Sequence, residues 1–349
     1  FPTRRSSDLL NMKINKGKVL FFSSIGHEIG IGHVKRLQNL SEYNFFDDFE
    51  KKFYVLNIDK KFKKNILNIN SKNNFKLFKI DNNYKFAFLD ISNNFFLHNI
   101  KLTNNIIKVI RDSTNKLILI DGLKPYSIKT LLPKNFFDFI ISPYLKDLKY
   151  TNPKFLYGRK YTILHKSFLN ISSRKNYKKI AKNIILTFGG SDINKLNIKI
   201  LHILDNIDFK LKITIVLGPL FSDKYAAFIR KFSIKSIHKF SFIINKINLL
   251  PIFKNSDLIF VGSGLTKYEV AASNTPQIII SDNKNDSYYN LPFKKNGLFI
   301  LDLYRQNEEF NLKIIKNIIL NPKFRKKIAS SGKLYIDGKG AKRIFNKIK

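Results

Sequence analysis

Residues 25–37, IGHEIGIGHVKRL, place two histidines, a glutamate and three glycines between an apolar run and a basic segment with helical spacing. Three chemistries compete for such a stretch. A zinc site of the H-E-x-x-H kind needs both imidazoles on one helical face, whereas His27 and His33 stand six residues apart with two glycines between them. No other cluster of histidines or carboxylates completes a site, so no metal is expected. A dinucleotide fingerprint needs G-x-G-x-x-G, of which GIGHVK (30–35) supplies only the first two glycines, and the Gly-Lys-Ser/Thr of a phosphate-binding P-loop is absent. NAD binding and ordinary ATP hydrolysis are therefore set aside, and no cofactor is expected. The remaining chemistry is proton transfer by His33 at the junction of loop and helix, since imidazole titrates near neutral pH. Its alternative is a histidine that hydrogen-bonds the loop. His27 reads as a loop residue.

Two further glycine turns share the character of GIGH (30–33): FGGSD (188–192) and GSGLT (262–266). Each follows an apolar run and precedes a helical pattern, where free helix N–H groups attract anions. Backbone at Gly30, Gly32, Gly189, Gly190, Gly264 and Leu265 can approach phosphate oxygens closely, with hydroxyls of Ser191 and Thr266 beside it. A phosphate ester is the natural ligand. Glu269, one to two turns into the helix after GSGLT, is a candidate acceptor for two ribose hydroxyls, as acidic residues are in nucleotide folds. A solvent-facing helix charge is the competing reading.

The elements that must position these groups follow from hydrophobic pattern. KVLFFSS (18–24), KFYVLNI (52–58), KFAFLDI (85–91), KLILIDG (116–122) and FDFIISP (137–143) read as short buried strands. The pattern restarts with NIILTFGGSD (183–192), KITIVLGP (212–219), SDLIFVGSG (256–264) and PQIIISD (276–282). VKRLQNLSEY, LNIKILHIL (196–204) and TKYEVAAS (266–273) have helical spacing between them. Alternation of this kind predicts two α/β halves with parallel sheets, joined through the polar stretch at residues 165 to 182. The expected organisation is a leader at 1–11, a first Rossmann-like domain at 12–170 and a second at 171–349.

The formal charge of +38 comes from 63 Lys plus Arg against 25 Asp plus Glu, spread through every segment instead of gathered in one. Enrichment in Lys, Asn, Ile and Phe matches A/T-rich codons, so codon bias competes with a polyanion site, and no nucleic-acid-binding module is recognised. Weak contact with an anionic membrane surface remains compatible with that charge. Cysteine is absent and there is no signal-peptide core or apolar run of about 18 residues, so a cytoplasmic monomer is expected. The first nine residues, FPTRRSSDL, match a translated sequencing adapter, and Met12 reads as the true start.

Five segments carry a family resemblance. EIGIGHVKR (28–36), GRKYTILHKSF (158–168), ILTFGGSD (185–192), SDLIFVGSGLTKYEVAASNTPQIII (256–280) and DGKGAKR (337–343) resemble the UDP-sugar hydrolases of pseudaminic acid biosynthesis and their spore-coat polysaccharide relatives. Those proteins share the two-domain GT-B architecture of MurG-like glycosyltransferases. The resemblance implies two doubly wound domains facing across a cleft, a UDP-sugar as substrate, His33 as catalytic residue, Glu269 on the ribose, and Arg36 and Asn285 in the substrate site. It implies attack of water at the anomeric carbon and release of UDP, with a glycosyltransferase as the alternative. The chain departs from the family at His165, Lys166 and Ser167, where relatives have Arg-x-Glu, and at Asp286, where they have Gln after Asn285. It keeps Asp121 but lacks the tyrosine often found just after it.

Overall fold

Strands covered by helices on both faces lose the in–out alternation of a half-exposed sheet and become continuous apolar runs. That pattern builds both halves of this protein. The computed structural model describes residues 17–26, 30–57, 71–72, 83–91, 100–120, 136–143, 153–174, 176–244, 246 and 248–349. His27, Glu28, Asp121, Met12 and the adapter-like leader lie outside the described residues.

The first domain begins with β1 (Lys18–Ile25), α1 (Gly32–Ser41), β2 (Glu50–Asn57), β3 (Ser71–Lys72) and β4 (Tyr84–Asp90). It continues with α2 (Ile100–Asp112), β5 (Thr114–Ile120), β6 (Phe139–Ser142) and β7 (Phe155–Tyr157). The strands form one parallel sheet in the order β3-β2-β1-β4-β5-β6-β7. One face packs Val19, Phe21, Phe86 and Phe88 in a phenylalanine-rich core, and the other packs Leu20, Phe22, Ala87 and Leu89 against Ile106, Ile107 and Ile110 of α2.

The second domain runs β8 (Asn183–Thr187), α3 (Leu196–Asp205), β9 (Lys212–Leu217), α4 (Asp223–Lys235), β10 (Lys239–Ile244), α5 (Leu250–Lys254) and β11 (Leu258–Val261). Then come α6 (Thr266–Ala272), β12 (Gln277–Ser281), α7 (Lys284–Lys295), β13 (Phe299–Asp302), α8 (Glu308–Leu320) and α9 (Pro322–Tyr335), and the chain ends its described elements with α10 (Gly340–Ile348). Its sheet, also parallel, has the order β10-β9-β8-β11-β12-β13. Each of the nine strand runs expected from the sequence holds a strand among the described residues. No helix among the described residues is long and apolar enough to cross a membrane.

The chain passes between domains twice. Ile163 packs with the first core and its neighbour Leu164 with the second. The return corrects the expected division at 171–349: α10 packs on the first domain, with Ala341, Ile344, Phe345 and Ile348 buried in its core. Phe345 stacks on Phe45 at 4.4 Å, and Lys116 Nζ donates to the carbonyls of Ile348 and Lys349 at the end of the helix. The two crossings touch. A methyl group on Gly340 would run into the Thr162 carbonyl oxygen, so only glycine permits this approach.

Candidate functional site

In an open parallel sheet the loops part where strand order reverses, and that crevice beyond the carboxyl ends is where ligands lodge. The two sheets reverse between β1 and β4 and between β8 and β11. The glycine turn after β1 lies at the first reversal, and FGGSD and GSGLT lie at the second.

On the first-domain side, Gly30 takes a φ of +72° and its N–H donates to the Gly26 carbonyl at 2.8 Å, folding the chain back before α1 starts. His33 and Arg36, one helical turn apart, both meet Asp90 at the end of β4. His33 Nδ1 is 2.6 Å from Asp90 Oδ1, while Arg36 Nε and Nη2 reach Oδ2 and Oδ1 at 2.7 and 2.6 Å. Burial would raise the fully buried Asp90 carboxyl, but Arg36 and His33 outweigh it and hold the group below its ordinary value. Asp90 is thus an ionised acceptor, and His33 Nδ1 must carry the proton it donates. The 2.9 Å approach of Arg36 Nη2 to Nδ1 follows from their sharing Oδ1. This tautomer leaves Nε2 with a lone pair. The His33 side chain stays 20% exposed.

On the second-domain side, Gly189 has a φ of +81°, a conformation that L side chains resist, and it turns the chain out of β8. Asp192 secures that turn. Its buried carboxylate accepts from the N–H groups of Leu196 and Asn197 at 2.7 and 2.9 Å, from Asn197 Nδ2 at 2.8 Å and from the Tyr225 hydroxyl at 2.7 Å. Burial pushes its pKa up against the pull of those donors. After β11, α6 opens without a side-chain cap, so the turn's N–H groups are not claimed by a capping side chain. Glu269 is only 4% exposed, and its carboxylate has no hydrogen-bond partner among the described residues.

A cavity of about 400 Å³ lies between these turns, a volume usual for a small-molecule site. Gly30, Gly32, Gly189, Gly190, Ser191, Gly264, Leu265, Thr266 and Glu269 all line it. Ile31 reaches across to Gly190, so the two domains meet at its rim. His33 itself is not in the wall, which runs through Ile31, Gly32 and Lys35 around it. Two expectations are corrected. Arg36 is buried and committed to Asp90 instead of facing the cavity. Asn285 is exposed in the first turn of α7, outside the wall, because Asn283 takes the capping position and turns Asp286 toward the cavity instead.

Three residues that sequence reasoning did not single out shape the site: Asp90, Asp192 and Lys267. An aspartate ending an otherwise apolar strand is the signal for the first, and the last letter of FGGSD for the second. Lys267 is fully buried at the start of α6, its Nζ donating to Asn290 Oδ1 at 2.7 Å, while Asn290 Nδ2 reaches Ser263 and Ser281 at 3.0 Å each. Burial lowers its pKa to about 7, opposed by the charge of Asp286. Between about pH 7 and the ordinary lysine range the unfolded chain holds a proton that the folded protein lacks, so stability should rise with pH across that window. Denaturant titrations over that range should show Lys267→Met flattening the rise by up to ~1.4 kcal/mol per pH unit. An identical slope in both proteins would show that Lys267 keeps its proton.

No group of three or more potential metal ligands occurs among the described residues. No protein-family model matches the chain. A 186-residue stretch is 31% identical to an uncharacterised protein of Methanocaldococcus jannaschii, covering 51% of this chain and 38% of that protein, so the match spans well under half of the relative's length. Over 250 residues the chain is 24% identical to the spore coat polysaccharide biosynthesis protein SpsG of Bacillus subtilis, covering 68% of this chain and 71% of that one. Among solved structures it is similar to MurG of Acinetobacter baumannii, with a TM-score of 0.63, 12% identity and coverage of 95% and 99%. It is also similar to the UDP complex of S. aureus MnaA, with a TM-score of 0.56, 13% identity and coverage of 95% and 96%. At such identities the likeness speaks for architecture, and together with the two sheet orders it makes this chain a two-domain α/β protein of the GT-B type.

Proposed function

We propose that the protein hydrolyses a UDP-linked amino-deoxy sugar to free sugar and UDP, in the assembly of a surface polysaccharide or a pseudaminic-acid-like sugar. The observation that carries this reading is the pairing of a buried, unpartnered carboxylate, Glu269, with three uncapped or glycine-rich turns around one cavity, beside a histidine oriented by a carboxylate. Glu269 suits the two ribose hydroxyls, and the Gly189–Gly190 and Gly264 turns suit the diphosphate. The name of the Bacillus subtilis relative supports a role in polysaccharide biosynthesis, and the UDP held by the S. aureus neighbour supports a uridine nucleotide as ligand.

In this reading water attacks the anomeric carbon as His33 Nε2 takes its proton. The bond from that carbon to the diphosphate oxygen breaks, and its electron pair leaves with UDP. Asp90 stabilises the imidazolium that forms, and the turns' N–H groups meet the charge growing on the leaving diphosphate.

Glu269→Ala should weaken UDP binding, read by calorimetry, by 1.5–3 kcal/mol, about the value of hydrogen bonds to a charged group. Unchanged affinity would move the ribose elsewhere. The activity itself is tested by UDP release from a panel of UDP-linked amino-deoxy sugars without added acceptor. Release under those conditions supports the hydrolase, and release only when a hydroxyl acceptor is supplied replaces it with a glycosyltransferase.

A further inference from the structure

The end of α1 opposite His33 grips the point where the chain changes domain. Glu42 caps the helix, and its Oε2 lies 2.6 Å from His165 Nε2. His165 Nδ1 accepts the Ser167 N–H at 3.1 Å and lies 2.7 Å from the Ser167 hydroxyl, so the ring proton sits on Nε2 and is donated to Glu42. Next to Glu42, the Tyr43 hydroxyl donates to the Leu164 carbonyl at 3.0 Å. Leu164 is the first residue of this crossing whose side chain belongs to the second core. The Ser167 hydroxyl lies 3.5 Å from Asn248 Oδ1, which accepts the Leu250 N–H at the start of α5, next to Leu249 in the cavity wall.

We infer that α1 is a strut between the domain crossing and the candidate site, and that His165 is a positioning residue holding its far end to the second domain through Glu42. Ten residues of α-helix span about 15 Å and behave as a rigid rod. One end starts at Gly32 and His33 in the cavity region; the other is fastened to the crossing by two hydrogen bonds from adjacent residues. The angle between the domains therefore sets where His33 stands relative to the second-domain turns. The functional half of this inference rests on the hydrolase reading above; the structural half does not.

The absence of cysteine allows clean double labelling. Lys108→Cys on α2 and Lys231→Cys on α4, both exposed, carry spin labels whose separation reports the domain angle. In that background His165→Ala and Glu42→Ala should broaden the distance distribution measured by double electron–electron resonance, whereas His165→Gln, which keeps a donor, should restore much of it. A residue serving stability alone would lower the melting temperature and leave the distribution as it was. On a sugar that the wild type turns over, His165→Ala should lower kcat roughly tenfold to a hundredfold and leave UDP affinity within about twofold, since displacement of a catalytic group by an ångström costs that order of rate. A distribution unchanged by His165→Ala overturns the strut whatever the activity. If the wild type releases UDP from no sugar, the hydrolase reading fails and the distance measurement still decides the strut.

Discussion

Replacing His33 by alanine should lower UDP release from a UDP-linked sugar roughly 10²–10⁴-fold, the usual contribution of a positioned general base. The loss should fall on kcat. UDP is assigned to turns of the second domain, and the His33 ring is not part of the cavity wall, so UDP affinity should stay within about threefold, well under 1 kcal/mol. Steady-state kinetics with calorimetry on the same protein separates the two quantities. A fall in affinity matching the fall in rate would make His33 a binding residue. Unchanged turnover would remove it from the chemistry.

Asp90→Ala should be the most destabilising single change at the site, by about 3–5 kcal/mol, because it removes one partner of a buried ion pair and takes away the carboxylate that both Arg36 and His33 meet. Arg36 is 6% exposed and Asp90 fully buried, so water cannot replace the lost partner. Turnover should fall too, since the carboxylate that holds the proton on His33 Nδ1 is gone. Asp90→Asn keeps the shape and should unfold less readily than the alanine protein. The pH dependence has a definite sign. The folded carboxyl is held below its ordinary value, so its stabilisation is present above the ordinary carboxylate range and is lost as pH falls through the folded pKa. Urea titrations at neutral and acid pH should therefore show the gap between wild type and Asp90→Asn narrowing toward acid. A constant gap would mean that Asp90 is protonated in the folded protein.

Legibility in the sequence tracked burial. The nine expected strands are the interior strands of the two sheets, where helices on both faces enforce unbroken apolar runs. The strands that escaped are β3, β7, β10 and β13, the four sheet edges, all of them short or half-exposed. In β10, KFSFII, Lys239, Ser241 and Ile244 are exposed and blur the pattern. Glycine turns were legible because positive φ and close approach leave a residue-level mark, and nine of the twelve expected site residues line one cavity. Arg36 and Asn285 misled for a shared reason: motif position says which turn of a helix a residue occupies, but not whether a neighbouring carboxylate or cap claims it first. Asp90 was hidden because its partners lie 57 and 54 residues away, a separation that only sheet register closes. The return of α10 to the first domain was hidden likewise, since its apolar face gives no sign of which core it will cover.

Hydrolysis in heavy-oxygen water tests the central claim most directly. With a UDP-linked amino-deoxy sugar and no acceptor, attack by water at the anomeric carbon puts the heavy oxygen on the sugar and leaves UDP unlabelled, in a reaction that Glu269→Ala and His33→Ala both suppress. Label in the phosphate of UDP, or cleavage indifferent to both substitutions, would contradict it.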